Sequence, residues 1–277
     1  MTGPRLPLAS RETAGLTSVP GVDARPADVA ISETLSFVLE SVGAPPRRLL
    51  EVGCGDGELA ARLHGLGYQV VALDADAAAV RAACTRGVDA RVAYWPDYHD
   101  DAPFDAVLFT RSLHHLRALS PAIERAASLL KRAGVVLVED FAFQDANEPT
   151  VQWFQGLLRG LEAAGTFANG ADCFARSILE SDHPFAVWHH DHEHELNAAE
   201  AMRWTLAEHF DLIIEQECPY LYRYVIPLLS VDEAGSRVLR EVLAQERAMA
   251  ARQVIVSVGR RLVGRSPIVD VPRGPRS

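Results

Sequence analysis

From residue 31 onward the apolar positions alternate between two periods. Ile31, Leu35, Val38 and Val42 recur at intervals of four, three and four, one face of a helix that Gly43 and the Pro45-Pro46 pair bring to an end. Short apolar runs then trade places with helical stripes, predicting strand 48–52, helix 57–66, strand 69–73, helix 76–86 and strand 88–93. Near-continuous apolar strands separated by helices are the pattern of a parallel sheet buried on both faces.

A second half repeats the rhythm. Strand 104–110 is followed by a helix opened by Ser120-Pro121 and closed at Gly134, then by strand 135–139. Val151, Phe154, Leu158 and Leu161 mark a further helix. Residues 165–196, "GTFANGADCFARSILESDHPFAVWHHDHEHEL", mix turn residues, aromatics and a dense His/Asp/Glu run and read as an insertion over the carboxyl edge of the sheet. Asn197 with Glu200 has the spacing of a capping box for a helix to about Phe210. A strand at 211–218, a helix capped by Ser230 and Glu233 and running to about 251, and a last strand within "QVIVSVGRRL" complete the chain. The expected organisation is an arm over 1–27, one domain over 28–262 with a cap at about 142–210, and a tail over 263–277.

Composition narrows the partners. A chain of 277 residues with 48% hydrophobic and 23% charged residues has enough apolar surface for one large α/β core. Its net charge of -10, with no basic stripe interleaved with aromatics, disfavours nucleic acid. No apolar run reaches membrane-spanning length and residues 1–26 lack a signal-type apolar core, so the expectation is a cytoplasmic protein with no membrane partner. Cys54, Cys84, Cys173 and Cys218 are scattered without a CxxC pair, which points away from a disulfide framework or a thiolate zinc site.

The stretch "LLEVGCGDGELAARL" carries the first chemistry. Gly53, Gly55 and Gly57 lie between a strand and a helix, where the backbone can turn tightly and approach a ligand. The dinucleotide fingerprint G-x-G-x-x-G fails, because position 58 is Glu when read from Gly53 and position 60 is Ala when read from Gly55. Two acids flank the loop instead, Glu51 in the first strand and Asp74 at the end of the second. An acid beneath the loop suits a cation better than a pyrophosphate.

Together with "VVALDAD", "FDAVLFTRSLHHL" and "LLKRAGVVLVEDF", this loop resembles the successive motifs of the class I S-adenosylmethionine-dependent methyltransferases over roughly residues 30–141. The resemblance implies a Rossmann-like, mostly parallel seven-stranded α/β sheet with helices on both faces, a cap insertion, and a last strand running antiparallel. It implies S-adenosylmethionine as cofactor and S-adenosylhomocysteine as product. Glu51 and the Gly53-Cys54-Gly55 backbone would lie along the methionine moiety, Asp74 would take the ribose hydroxyls, and Ala75 would sit beside the adenine. Asp97 in "YWPDYHDD" is the candidate for the adenine amino group, and Thr110 and Arg111 would pass the methionine end by their backbone.

The acceptor side is less marked. His114 or His115, just past the fourth strand, stands where a parallel sheet opens its ligand crevice; His114 is the candidate base and His115 a candidate substrate contact. Arg111 could also hold an acidic substrate. In "WHHDHEHEL", His190, His192 and His194 share a side if the run is extended, and His190 and His194 share a face if it is helical; His190 and His194 are taken as pocket-lining, with no metal assigned. Tyr220, Tyr222 and Tyr224 would wall the other side, Tyr220 against the substrate. Asp140 follows the fifth strand, but the acid-acid-amide set of metal-dependent catechol methyltransferases is absent. The expected activity is O- or N-methylation of a small-molecule acceptor. The alternatives are an NAD(P)-dependent oxidoreductase on the same fold, or a protein that binds S-adenosylmethionine without transferring its methyl group.

Overall fold

The computed structural model describes residues 24–168, 173–192 and 196–267. Its first helix, α1 (Pro26–Val42), begins five residues before the apolar stripe suggests and inside the segment expected as an arm. Proline is placed at the first helical turn, where its missing N–H costs nothing. Asp28 fixes the start by accepting the backbone N–H of Arg25 at 2.8 Å.

Seven strands form one sheet: β1 (Arg48–Val52), β2 (Gln69–Asp74), β3 (Asp89–Val92), β4 (Phe104–Thr110), β5 (Leu130–Phe141), β6 (Asp211–Cys218) and β7 (Gly259–Arg265), in the order β3-β2-β1-β4-β5-β7-β6. β1 to β5 pair in parallel, with Leu50 opposite Val71 and Glu51 opposite Leu108. β7 runs antiparallel between β5 and β6. Strand order therefore reverses between β1 and β4, the place where a parallel sheet opens a crevice at its carboxyl edge.

Alternation along the central strands splits the core into two layers. Leu49, Ala106, Leu108, Val135 and Leu137 face α1, α2 (Glu58–Gly65) and α3 (Ala77–Thr85), whose Val38, Leu63 and Ala83 meet them. Leu50, Val107, Phe109, Val136 and Val138 face the opposite way, against Ile123 of α4 (Leu119–Leu129) and Leu206 of α8 (Ala199–His209). A third cluster starts at Phe141, the last residue of β5, and so stands on the carboxyl end of the sheet. It gathers Phe154 of α5 (Glu148–Ala163), Ile178 of α6 (Phe174–Glu180), Trp188 of α7 (Pro184–His192), Tyr222 from a 3-10 segment at Leu221–Leu228, and Leu239 of α9 (Glu233–Ala251).

Several local expectations shift. Gly134 lies inside β5, because pairing of Leu130 with Phe104 ends α4 at Leu129. The last strand is 259–265 and passes the expected domain end at 262. α9 is capped by Asp232, whose carboxylate accepts the N–H of Gly235 at 3.0 Å, while Ser230 donates to Asp232. Asn197 does not cap α8, which starts after Ala198; its side chain is used elsewhere.

Candidate active site

The glycine loop is shaped by what it passes. Gly53 adopts φ +76°, and a Cβ there would lie 2.5 Å from Cβ of Ser112 at the end of β4. Gly57, at φ +74°, leaves the same narrow clearance to Ala83 of α3. Only glycine combines that backbone with that proximity. The N–H groups of Gly53 and Cys54 both donate to the carbonyl of Leu73, at 2.8 and 2.9 Å, which ties the loop to β2. Cys54 itself is buried, its thiol pushed up to about 12 by burial and by the nearby Glu51 and Asp74.

Asp74 closes the other side. Its Oδ2 accepts the N–H of Gly55 at 2.8 Å and its Oδ1 that of Asp76 at 2.9 Å. A carboxylate has about four acceptor positions, so two remain for a ligand. Gly53, Gly55, Asp74, Ala75, Arg111 and His115 line one cleft of about 300 Å³, together with Val52, Leu73, Ala93, Trp95, Ser112 and Leu116.

Glu51 lies beneath this loop, 2% exposed. Its Oε1 accepts the Thr110 hydroxyl at 3.2 Å, and its Oε2 is buried without a partner. Burial pushes its carboxyl up to about 7, against the opposing pull of the Thr110 bond and the Arg111 charge. Such an orphaned acceptor is expensive to leave unmatched in a folded chain.

Asp97 is not brought into the cleft. It is exposed and borders a separate depression with Pro96, Glu124 and Arg125. Ala93 and Trp95 take that level of the wall instead, with Trp95 set by an indole N–H bond to the Ala122 carbonyl at 3.1 Å and an edge contact to Phe109. Sequence reasoning missed Trp95 because it looked for an acid there. Arg111 enters the cleft from a backbone at φ +64°, a conformation that costs a non-glycine residue about 1–2 kcal/mol. Its N–H donates to the Glu139 carbonyl at 2.7 Å.

A second centre adjoins the first. His114 is buried, with Nδ1 2.6 Å from Oδ1 of the fully buried Asp140, whose Oδ2 accepts the His114 backbone N–H at 3.1 Å. Nδ1 makes no aligned hydrogen bond at that approach, so the two side chains meet by close contact while the backbone N–H bond ties the turn to Asp140. The ring packs on His115 (centroids 3.9 Å apart) and meets Phe141 edge-on. Tyr220 stacks on Phe141 at 5.0 Å, and Tyr224 adjoins Tyr220. Burial raises both phenols above their ordinary range.

The histidine run contributes differently from the expected pattern. α7 ends at His192, so Trp188 and His192 share the inner face four residues apart, and His190 is exposed. Nδ1 of His192 lies 2.7 Å from the Trp188 carbonyl and Nε2 3.0 Å from the Tyr224 hydroxyl. His194 lies outside the described residues. Among the described residues no three His, Cys, Asp or Glu side chains converge as metal ligands.

A family model for a methyltransferase domain matches residues 24–208. The chain belongs to the class I S-adenosylmethionine-dependent methyltransferases. Among curated methyltransferases, it is 38% identical over 101 residues to an uncharacterized one from Mycobacterium tuberculosis, covering 34% of this chain and 50% of that one. It is 35% identical over 112 residues to a ubiquinone biosynthesis O-methyltransferase of Xanthomonas campestris, covering 38% and 47%. The matched segment thus spans about half the length of these curated relatives. A putative sarcosine dimethylglycine methyltransferase from Galdieria sulphuraria shares the fold, with a TM-score of 0.53 at 13% identity and 87% of each chain covered. S-adenosylmethionine is the cofactor that membership in this family implies. No described helix is long and apolar enough to cross a membrane.

Proposed function

We propose that this methyltransferase methylates an oxygen of a small aromatic acceptor, with His114 as general base. The observation that carries the reading is the His114–Asp140 pair, joined to the cleft by the neighbouring His115 and packed against Phe141, on which Tyr220 and then Tyr224 follow. Asp74 would hold the ribose, Ala75 and Trp95 would flank the adenine, and Gly53, Cys54 and Gly55, above Glu51, would lie along the methionine portion. These residues fit such a group: the loop clearance excludes side chains, Asp74 has acceptor capacity left, and Glu51 beneath the loop keeps a buried carboxylate oxygen without a partner.

When bound, the cofactor supplies a methyl group already activated for in-line displacement. What the chain contributes is position and a proton acceptor. Asp140 would position the His114 ring, and Nε2 would accept the proton of the acceptor hydroxyl as that oxygen takes the methyl group. The aromatic wall orients a flat acceptor and keeps water away.

Incubating a metabolite extract with the protein and methyl-labelled cofactor, followed by mass spectrometry, tests the reading. The expected product is a labelled methyl ether. His114→Ala and Asp140→Asn should each lower its formation by about 10²–10⁴-fold while S-adenosylhomocysteine affinity stays within about twofold. Labelling on nitrogen or carbon alone, or full activity in His114→Ala, would refute it.

A further inference from the structure

Beside the cleft, three arginines surround one carboxylate. Glu139 is 1% exposed; its Oε1 accepts the Thr34 hydroxyl at 2.6 Å and Arg223 at 2.8 Å, and its Oε2 accepts Arg261 at 2.8 Å. Those bonds take three of the carboxylate's roughly four acceptor positions, both of those on Oε1 included. The Arg111 guanidinium is left 3.7 Å from Oε1 and 3.4 Å from the Thr34 hydroxyl, in looser contact than its two neighbours.

Of the other acids, Glu51 is close enough to feel the Arg111 charge, and the rest are engaged elsewhere. Glu33 pairs with Arg247, Asp140 holds His114, and Glu246 accepts the backbone N–H groups of Tyr220, Leu221 and Tyr222. Tyr220, Tyr222 and Cys218 pack around Arg223 and are kept neutral by burial, so they bring no compensating charge. Arg223 itself is half-buried, with a buried Nε that has no partner. Of the three arginines, Arg111 alone lines the cofactor cleft, and it does so from a strained left-handed backbone. Strain of that kind persists where surrounding structure enforces it, often at ligand contacts.

We propose that Arg111, backed by Arg223, forms an anion-binding site that receives a carboxylate of a molecule lying in the cleft. Two sources have this chemistry, the α-carboxylate at the methionine end of the cofactor and an acid group on the acceptor. A carboxylate matches the planar fork of guanidinium donors and brings the cluster nearer to neutrality. The proposal rests on the methionine portion lying along the Gly53–Gly55 loop, as proposed above.

The test uses the full chain, with Arg111→Gln and Arg111→Lys titrated calorimetrically with S-adenosylhomocysteine and with 5′-methylthioadenosine, a nucleoside thioether that lacks the carboxylate. A loss of tenfold or more for S-adenosylhomocysteine in Arg111→Gln, with methylthioadenosine within twofold and partial recovery in Arg111→Lys, supports the site and assigns the cofactor carboxylate. Unchanged binding of both nucleosides, with tenfold lower labelling of an acidic product from the extract, supports it and assigns the acceptor. Equal weakening of both nucleosides overturns it, as does unchanged binding with no acid among the labelled products. Absence of any labelled ether would sink the O-methylation reading alone, since the binding comparison needs no acceptor.

Discussion

Asn197 donates its side-chain amide to the carbonyl of Leu116 at 2.6 Å, with a longer contact to that of Leu113 at 3.2 Å. Its backbone N–H also donates to the carbonyl of His114 at 2.8 Å. One residue ahead of α8 thereby holds the 3-10 turn (Leu113–His115) that carries both candidate histidines.

Asn197→Ala should leave these carbonyls short of donors, at about 1–3 kcal/mol. The expected result is a melting temperature lowered by about 3–8 °C and faster amide exchange around residues 113–116. Unchanged exchange in that turn would show that α8 packing alone holds it.

Asp74 offers two lone pairs to the ligand after its bonds to Gly55 and Asp76. Asp74→Ala would remove the proposed ribose acceptor and the bonds that hold the loop. S-adenosylhomocysteine affinity should fall by about 100-fold or more, the equivalent of two charge-assisted hydrogen bonds. Calorimetry finding a loss under threefold would displace the ribose from this residue.

Glu51 makes stability depend on pH. Its carboxyl is raised from 4.5 to about 7 in the folded chain, so between these values the folded state binds more protons than the unfolded one. Stability from this group is full below about pH 4.5 and is lost as pH rises towards 7, by about 3 kcal/mol in all. Relative to Glu51→Gln, the wild type should lose stability across that window and run parallel above it, as read by chemical denaturation at several pH values. A positively charged ligand near Oε2 favours the anion, so cofactor binding at pH 6 should release protons, seen as a buffer-dependent calorimetric enthalpy. An enthalpy independent of buffer would mean that Glu51 does not respond to the cofactor.

The sheet was legible because its strands announce themselves. Leu49-Leu50 and Val70-Val71 have no polar face to hide, and the acids and glycines around them sit at the ends where strands meet loops. The Gly53 to Gly57 spacing, Glu51 and Asp74 could be placed from sequence alone, since a strand–loop–helix unit fixes their neighbours within a few residues. Element ends were less legible. Gly134 looks like a helix stop until Leu130 pairs with Phe104, and Asn197 has capping-box spacing until its amide finds the carbonyls of another element.

The sequence by itself determined the α/β class, the glycine cradle and the acid at the end of β2, because each depends on local periodicity and short loops. The tertiary structure decided which chemistry-bearing side chains meet. His114 and Asp140 are 26 residues apart, Glu139 and Arg223 are 84 apart, and His192 rather than His190 turns inward because Trp188 shares its face of α7. Asp97, which a linear reading set against the adenine, stands outside the cleft because Trp95 packs inward on Phe109. Such pairings follow from the crossing of distant elements at the carboxyl edge of the sheet, and no period along the chain encodes them.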